Sequence, residues 1–151
     1  EICKAAKEEA LKLYAELVAG IDKDTEAFNK VSAAYKLPKN TDEEKAARSA
    51  AIREANVGAT EVPFETVKLC LEGLKITETM VGKSNPNAAS DLGVAALNLL
   101  SGIRGAWLNV KINLPGIKDE ALKAEFESAG AMVDEAYVIS KRIYEEVLAS
   151  L

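Results

Sequence analysis

Hydrophobic residues recur every three or four positions through four long segments of this chain, the spacing of amphipathic helices. No segment has the strict alternation of a β-strand, and no Asn-Gly or Asp-Gly pair marks a hairpin. The first helix is predicted to run from the start to about Tyr35, with apolar residues at heptad a and d positions. These seam residues are Tyr14, Leu17, Ile21, Phe28, Val31 and Tyr35.

Three breaks separate the predicted helices. Pro38 ends the first helix because proline lacks an amide hydrogen. The run from Thr41 to Glu44 is a capping box that starts a second helix, which is expected to end near Val81. Pro63 lies inside that helix and predicts a kink there. Gly82 suits the left-handed position that follows a helix.

The third helix is expected from about Ala88 to Asn113, where Leu114, Pro115 and Gly116 stop it. It is apolar nearly all round, so it is predicted to be the central, buried helix. The last helix starts with Asp119 as its N-cap. Its inward residues are predicted to be Leu122, Phe126, Met132 or Val133, Tyr137, and Ile139 or Ser140. The fold class is therefore all-α, an antiparallel up-down bundle.

Composition narrows the function classes. The chain has 151 residues, the size of one domain (1–151), and a net charge of −5, so it carries no general field that would attract nucleic acid or an anionic membrane. It has no histidine and only two distant cysteines, which excludes a zinc site or a Ser–His–Asp triad and fits a reducing, cytoplasmic compartment. The segment Leu92–Leu114 is too polar for a membrane span.

Asp24 breaks the apolar seam of the first helix. By spacing it occupies a position that should be apolar, between Ile21 and Phe28. A buried, unpaired carboxylate is costly, so it must find partners or take up a proton. The residue is therefore either a catalytic acid or base, or a structural group that fixes helix register.

A polar stripe runs along the third helix. At about 100° per residue its members point within roughly 40° of one direction. They are Asp91, Asn98, Gly102, Gly105, Asn109 and Asn113. Asparagines suit an amide-rich heterocycle and glycines let a flat ligand approach the backbone. The alternative is close helix packing over the glycines, with Asp91 only a first-turn acid.

Basic residues surround the first break, and two interpretations stay open. They are Lys36, Lys39, Lys45, Arg48 and Arg53. Such a group forms an ordinary solvated face or an anion site for an acidic substrate tail.

Several blocks of the sequence resemble the cyclodeaminase domain of formiminotransferase-cyclodeaminase and the related bacterial methenyltetrahydrofolate cyclohydrolases. The blocks are IDKDTEAF (21–28), YKLPKNT (35–41), EKAAR (44–48), NPNAASD (85–91) and GAWLNVKINL (105–114). Their order and spacing agree across nearly the whole chain. Family members also begin with a Pro-Gly-Gly-Gly-Ser-like turn and a helix, which we expect to be missing from residues 1–151.

The resemblance implies an all-helical homodimer that acts on a tetrahydrofolate substrate without a metal or organic cofactor. It implies that Asp24 is the catalytic acid or base. We expect Asp91, Asn109 and Asn113 to orient the substrate, and Lys36 and Lys39 to meet its glutamate tail. Asp24 serves ammonia or water chemistry equally, so cyclodeaminase and cyclohydrolase both stay open. The alternative from another class is a non-catalytic interaction module whose polar stripe only specifies pairing.

Overall fold

The computed structural model describes residues 1–151 and is built of helices without any strand. The helices are α1 (Ile2–Lys36), α2 (Asp42–Met80), α3 (Ala89–Asn113), α4 (Glu120–Glu127) and α5 (Ala129–Ser150). Short 3₁₀ turns at Pro86–Ala88 and Leu114–Gly116 flank α3. The prediction of an all-α helical bundle is confirmed. The predicted fourth helix is divided in two at Ser128.

The local signals in the sequence act where they were expected. The Thr41 hydroxyl accepts from the Glu44 N–H at 3.2 Å, and a Glu44 carboxylate oxygen accepts from the Thr41 N–H at 3.3 Å. The Asp119 carboxylate accepts from two amides of the first turn of α4. Gly82 has a φ of 70° directly after α2, a conformation that glycine adopts without a Cβ penalty.

The central helix is α2, not α3. It contacts α1, α3, α4 and α5, and ten of its residues are buried. Only five residues of α3 are buried, and its outer side exposes Val94, Leu97, Leu108 and Ile112. The prediction of a central third helix was wrong because apolar composition does not distinguish a buried face from an apolar surface.

Contacts of α1 with α2 run in opposite directions along the two helices, since Tyr35 meets Arg48 and Leu13 meets Gly73. Gly73 of α2 lies between Leu99 of α3 and Leu13 of α1, since a Cβ built on Gly73 would lie 3.2 Å and 3.9 Å from their methyl carbons. The Ser140 hydroxyl of α5 donates to the Ala96 carbonyl of α3 at 3.1 Å. Glycine at position 73 therefore lets two helices approach α2 at one place.

Most of the apolar seam of α1 does not pack inside the chain, which corrects the sequence prediction in part, since Leu17 packs half-buried against the core and Val31 is half-buried. Tyr14, Ile21, Phe28 and Tyr35 are each more than half exposed. The residues of α1 that α2 does bury are Leu13, Ala27 and Ala34. Alanine lets two helix backbones approach closely, so the small side chains form the contact and the large ones remain on its flank.

On the last helices, Phe126, Ile139 and Ser140 are buried as predicted, and Leu122, Met132 and Val133 are half-buried. Tyr137 is the exception, because 56% of its surface is exposed.

Two isoleucines of α3 test which of its faces belongs to the core. Ile103 is fully buried and Ile112 is 77% exposed. Ile103→Ala should lower the free energy of unfolding by about 2–5 kcal/mol, because it leaves a cavity. Ile112→Ala should change it by no more than about 0.5 kcal/mol. Urea denaturation measures both, and equal losses would contradict the assigned core face.

Candidate functional site

Asp24 is exposed in the single chain, so the expectation of a buried carboxylate is wrong for this state. Its position along the bundle follows from the contact of Leu13 with Gly73. Asp24 is 11 residues beyond Leu13, and 11 residues back from Gly73 on the antiparallel α2 is Val62. Asp24 therefore lies at the level of Val62 and Pro63.

Asn113 reaches the same level from the other side. Its side-chain Nδ2 donates to the carbonyl oxygen of Ala59 at 3.1 Å. In an α-helix that carbonyl would accept from the amide four residues later, but residue 63 is proline and has no amide hydrogen. Asn113, which is half-buried, supplies the missing donor.

Asp24 and the polar stripe stand on two helices that flank the same part of α2. Lys23 and Ala27 of α1 line a groove with α2, and Asp24 points about 100° away from Lys23, toward the opposite flank of α1. On α3, Asn109 is four residues from Asn113 and shares its side of the helix. From this placement we infer a cleft between the two helices, the α1–α3 cleft, bordered by Asp24 on α1 and by Asn109 and Asn113 on α3.

The cleft lies on one side of α2 because of how its neighbours are arranged around it. Lys75 and Glu78 of α2 form ion pairs with Glu135 and Arg142 of α5. Cys70 of α2 contacts Gly102 of α3. Going around the axis of α2, the side that contacts α5 is followed by the side that contacts α3, and then by the side that contacts α1. The stripe of α3 therefore faces the flank on which α1 lies, and its side opposite the stripe packs against α5.

Asp91 is not brought to this cleft. It is exposed in the first turn of α3, 22 residues from Asn113, which corresponds to about 33 Å along the helix. The structure gives it the position of a first-turn acid next to a helix N-terminus. Its predicted substrate contact stays a prediction that the geometry of one chain does not support.

Lys36 and Lys39 are exposed at the tip of the α1–α2 hairpin. Lys36 is 12 residues from Asp24, or about 18 Å along α1. Arg48, from the same basic group, contacts Tyr35 and is not free at the surface. Its guanidinium donates to the Tyr35 carbonyl at 3.2 Å and lies 5.4 Å from the centroid of the Tyr35 ring. Arg48 therefore supplies a hydrogen-bond donor to a carbonyl in the last turn of α1.

The groove between α1 and α2 was not anticipated from the sequence. It has a volume of about 800 Å³ and an apolar floor of alanine, glycine and valine, with Lys23, Lys30, Glu54 and Glu61 at its edges. Neither Asp24 nor any residue of α3 lines it. The sequence signal for this groove is the small residues that recur along α1 and α2. Their short side chains leave the space between the two helices unfilled.

The glycines of the stripe are not required by helix packing in the single chain. A Cβ on Gly105 would meet nothing within 4 Å, and one on Gly102 would lie 3.4 Å from the Cys70 sulfur, an ordinary contact. Burial raises the pKa of that Cys70 thiol. The packing interpretation of the stripe therefore does not apply to Gly105.

Two further structural findings concern metal binding and membrane crossing. No group of three or more metal-ligating side chains comes together in the structure. None of the helices combines the length and the apolar character that crossing a bilayer requires.

Comparison with known proteins identifies the family. The family model described as Formiminotransferase-cyclodeaminase matches residues 1–131. The chain belongs to the formiminotransferase-cyclodeaminase family. This agrees with the resemblance drawn from the sequence blocks.

Three members of the formiminotransferase-cyclodeaminase family show how far the similarity extends. Methenyltetrahydrofolate cyclohydrolase of Methylorubrum extorquens is 43% identical over 145 residues, which cover 95% of this chain and 70% of that protein. Formimidoyltransferase-cyclodeaminase of Sus scrofa is 37% identical over 111 residues, 74% of this chain and 20% of that protein. The crystal structure of formiminotetrahydrofolate cyclodeaminase from Thermotoga maritima superposes with a TM-score of 0.72 at 26% identity, over 95% of this chain and 66% of that one.

Gly105 and Gly20 form a matched pair for testing whether the stripe glycine is needed for packing. Both are helical, and a Cβ on either would meet nothing within 4 Å. Gly105→Ala and Gly20→Ala should each raise the free energy of unfolding by roughly 0.5–1 kcal/mol, because alanine restricts the unfolded chain more than glycine does. Thermal or urea unfolding measures both. A loss of stability in Gly105→Ala alone would mean that this glycine is needed for packing.

Proposed function

We propose that this family member is a methenyltetrahydrofolate cyclohydrolase. The observation that carries the proposal is the 43% identity to the Methylorubrum extorquens cyclohydrolase over 95% of this chain. The similarity to cyclodeaminases is lower in identity, 37% over 74% of the chain for the porcine protein and 26% over 95% of the chain for the Thermotoga maritima protein. Cyclodeaminase activity is therefore the second candidate.

The proposed reaction opens a five-membered ring by adding water. A water oxygen bonds to the methenyl carbon between N5 and N10 and loses a proton, which gives a tetrahedral adduct. The bond from that carbon to N5 then breaks as N5 takes up a proton, and the hydroxyl group of the adduct loses its proton to become the carbonyl of the formyl group on N10, so one proton is released overall. One carboxylate beside the carbon suffices, since it accepts the proton of water and returns a proton to nitrogen.

Asp24 is the proposed proton carrier. It is the carboxylate on the wall of the α1–α3 cleft, at the level of Val62 on α2, opposite the amides of Asn109 and Asn113. Neutral amides on the facing wall can hydrogen-bond to a pterin ring or the reacting group without taking protons from it. Support for this role comes from the position of Asp24 in the cleft and from the match of residues 21–28 to the family.

Asn109 is the proposed substrate contact on α3, because its exposed amide has no hydrogen-bond partner within the chain. The Asn113 amide already donates to Ala59, so its oxygen is the atom left for a substrate. Lys36 and Lys39 lie at the tip of the α1–α2 hairpin, where their charges would attract the glutamate carboxylates of a folate. No cofactor is required by this chemistry.

We also propose that two copies pair through the α1 seam. Tyr14, Ile21, Phe28 and Tyr35 repeat every seven residues and form an exposed apolar line 21 residues long. An apolar line of this length is typical of a surface that a partner covers. Pairing would bury the seam next to Asp24 and exclude water from its carboxylate, which strengthens the electrostatic interactions around it.

Asp22 and Asp24 form a matched pair for testing the catalytic role. Both are exposed aspartates on α1, but only Asp24 faces the cleft. Asp24→Asn should lower kcat by roughly 10²–10⁴-fold because the amide cannot accept the proton, while Asp22→Asn should keep the parent rate. Loss of the near-ultraviolet absorbance of methenyltetrahydrofolate measures the reaction.

Three outcomes would count against this proposal. Parent-like turnover by Asp24→Asn would remove Asp24 from the mechanism. If the parent protein forms the methenyl compound from formimidoyltetrahydrofolate but does not consume it, the reaction is the cyclodeaminase one. If it acts on neither compound, the alternative of a non-catalytic interaction module is favoured.

Phe28 tests pairing through the seam. It is 69% exposed in the single chain, and Phe28→Glu would place a charge in the apolar contact. This variant should be monomeric by light scattering at concentrations where the parent is a dimer, because an unpaired buried charge is costly. Leu148→Glu on α5 is the control, since Leu148 is 59% exposed and away from the seam. A parent that is monomeric, or a Phe28→Glu dimer, would contradict the assignment.

A further inference from the structure

The Ala59 carbonyl, Pro63 and Asn113 form one unit in the wall of the cleft. Proline at position 63 leaves the Ala59 oxygen without its usual intrahelical donor. The Asn113 amide fills that place at 3.1 Å. Such an oxygen in a half-buried setting would otherwise go unsatisfied, and that loss typically exceeds the net contribution of an ordinary hydrogen bond.

A second contact ties the same two segments together. Asn56 of α2 packs on Gly116, because a Cβ built on Gly116 would lie only 2.6 Å from the Asn56 amide nitrogen. Gly116 belongs to the turn that directly follows α3. Within the same turn of α2, the fully buried Thr60 hydroxyl donates to the Asn56 carbonyl at 2.7 Å. The segment 56–63 of α2 is therefore joined to the end of α3 at two places.

We infer that Asn113 is a positioning residue, whose bond to the proline-freed Ala59 carbonyl fixes the end of α3 against α2 and so sets the distance across the α1–α3 cleft. This inference rests on the proposed function for its effect on turnover. The same bond also fixes which way the amide is turned, since its nitrogen must face Ala59. The Asn113 oxygen is then held in one direction, next to Asn109 and opposite Asp24.

Pro63→Ala supplies the backbone N–H that proline lacks, so it should make the Asn113 donor unnecessary. Asn113→Ala in the parent should lower the melting temperature by about 2–4 °C through the unsatisfied Ala59 carbonyl. In the Pro63→Ala background the same substitution should cost less than about 1 °C. Asn98→Ala is the control, because Asn98 is exposed on α3 and has no hydrogen bond. An equal loss in both backgrounds would overturn the inferred bond.

Turnover separates positioning from direct substrate contact. Asn113→Ala should lower kcat by roughly tenfold to a hundredfold, the effect of misplacing a catalytic wall by about 1 Å, and Pro63→Ala should not restore it, because the added N–H satisfies the Ala59 carbonyl within α2 and does not tie α3 to α2. Pro63→Ala alone keeps Asn113 but gives the Ala59 carbonyl a donor within α2, so it should also lower kcat. Parent-like kcat in that variant would overturn the positioning role and leave Asn113 as a substrate contact only. Asn113→Asp, which has the same shape but no donor at neutral pH, should behave like Asn113→Ala in both measurements.

The two parts of the test fail independently. Unfolding measurements need no substrate, so the coupling between positions 63 and 113 can be determined even in a protein without cyclohydrolase activity. If the parent consumes no folate, the proposed function fails while the hydrogen-bond inference is still decided by the melting temperatures. If the parent is active and the coupling is absent, only the inference fails.

Discussion

The close packing of α1 on α2 through small residues is the constraint on which the rest of the structure depends. Ala27 and Ala34 are buried in this contact, and Gly73 admits Leu13 and Leu99 at a single place on α2. Because the backbones lie close, the large apolar residues of α1 are displaced to its flank. That displacement exposes the seam and places Asp24 on a cleft wall rather than inside the bundle. The close α1–α2 contact thus determines both the exposure of the apolar seam and the position of Asp24.

Much of the fold could be predicted because it depends on local chemistry. The capping box at Thr41, the Asp119 N-cap and the left-handed Gly82 each require only neighbouring residues, and each forms as expected. Which helix is central and which side of α1 is buried are decided by packing between distant segments. Heptad spacing favoured the large residues of the seam, whereas the chain packs α1 through alanines that the same spacing rules treat as neutral.

The candidate site divides in the same way. Asp24 was singled out because it interrupts an apolar pattern, and the stripe was singled out because it is polar on an apolar helix. Helix rotation places Asp24, Asn109 and Asn113 on the same flank of α2, whereas the expected burial of Asp24 within one chain does not hold. Asp91 points in the same direction as the rest of the stripe but lies about 33 Å from Asn113. Residues on one face of a helix can therefore be far apart along its axis. Distance along the axis could be judged only once the partner helices were placed.

Pro63 shows how a helix break can be put to use without ending the helix. The sequence predicts a kink there within a continuing helix, and α2 does run through Pro63 from Asp42 to Met80. What proline removes is one hydrogen bond, and what it exposes is one carbonyl, at the level where α1 and α3 face each other. A side-chain amide that satisfies this carbonyl must come from a neighbouring helix, so the break fixes α3 relative to α2 more directly than an uninterrupted helix would. We therefore expect the feature that weakens α2 locally to define the width of the cleft, which the proposed proton carrier on the opposite wall would require.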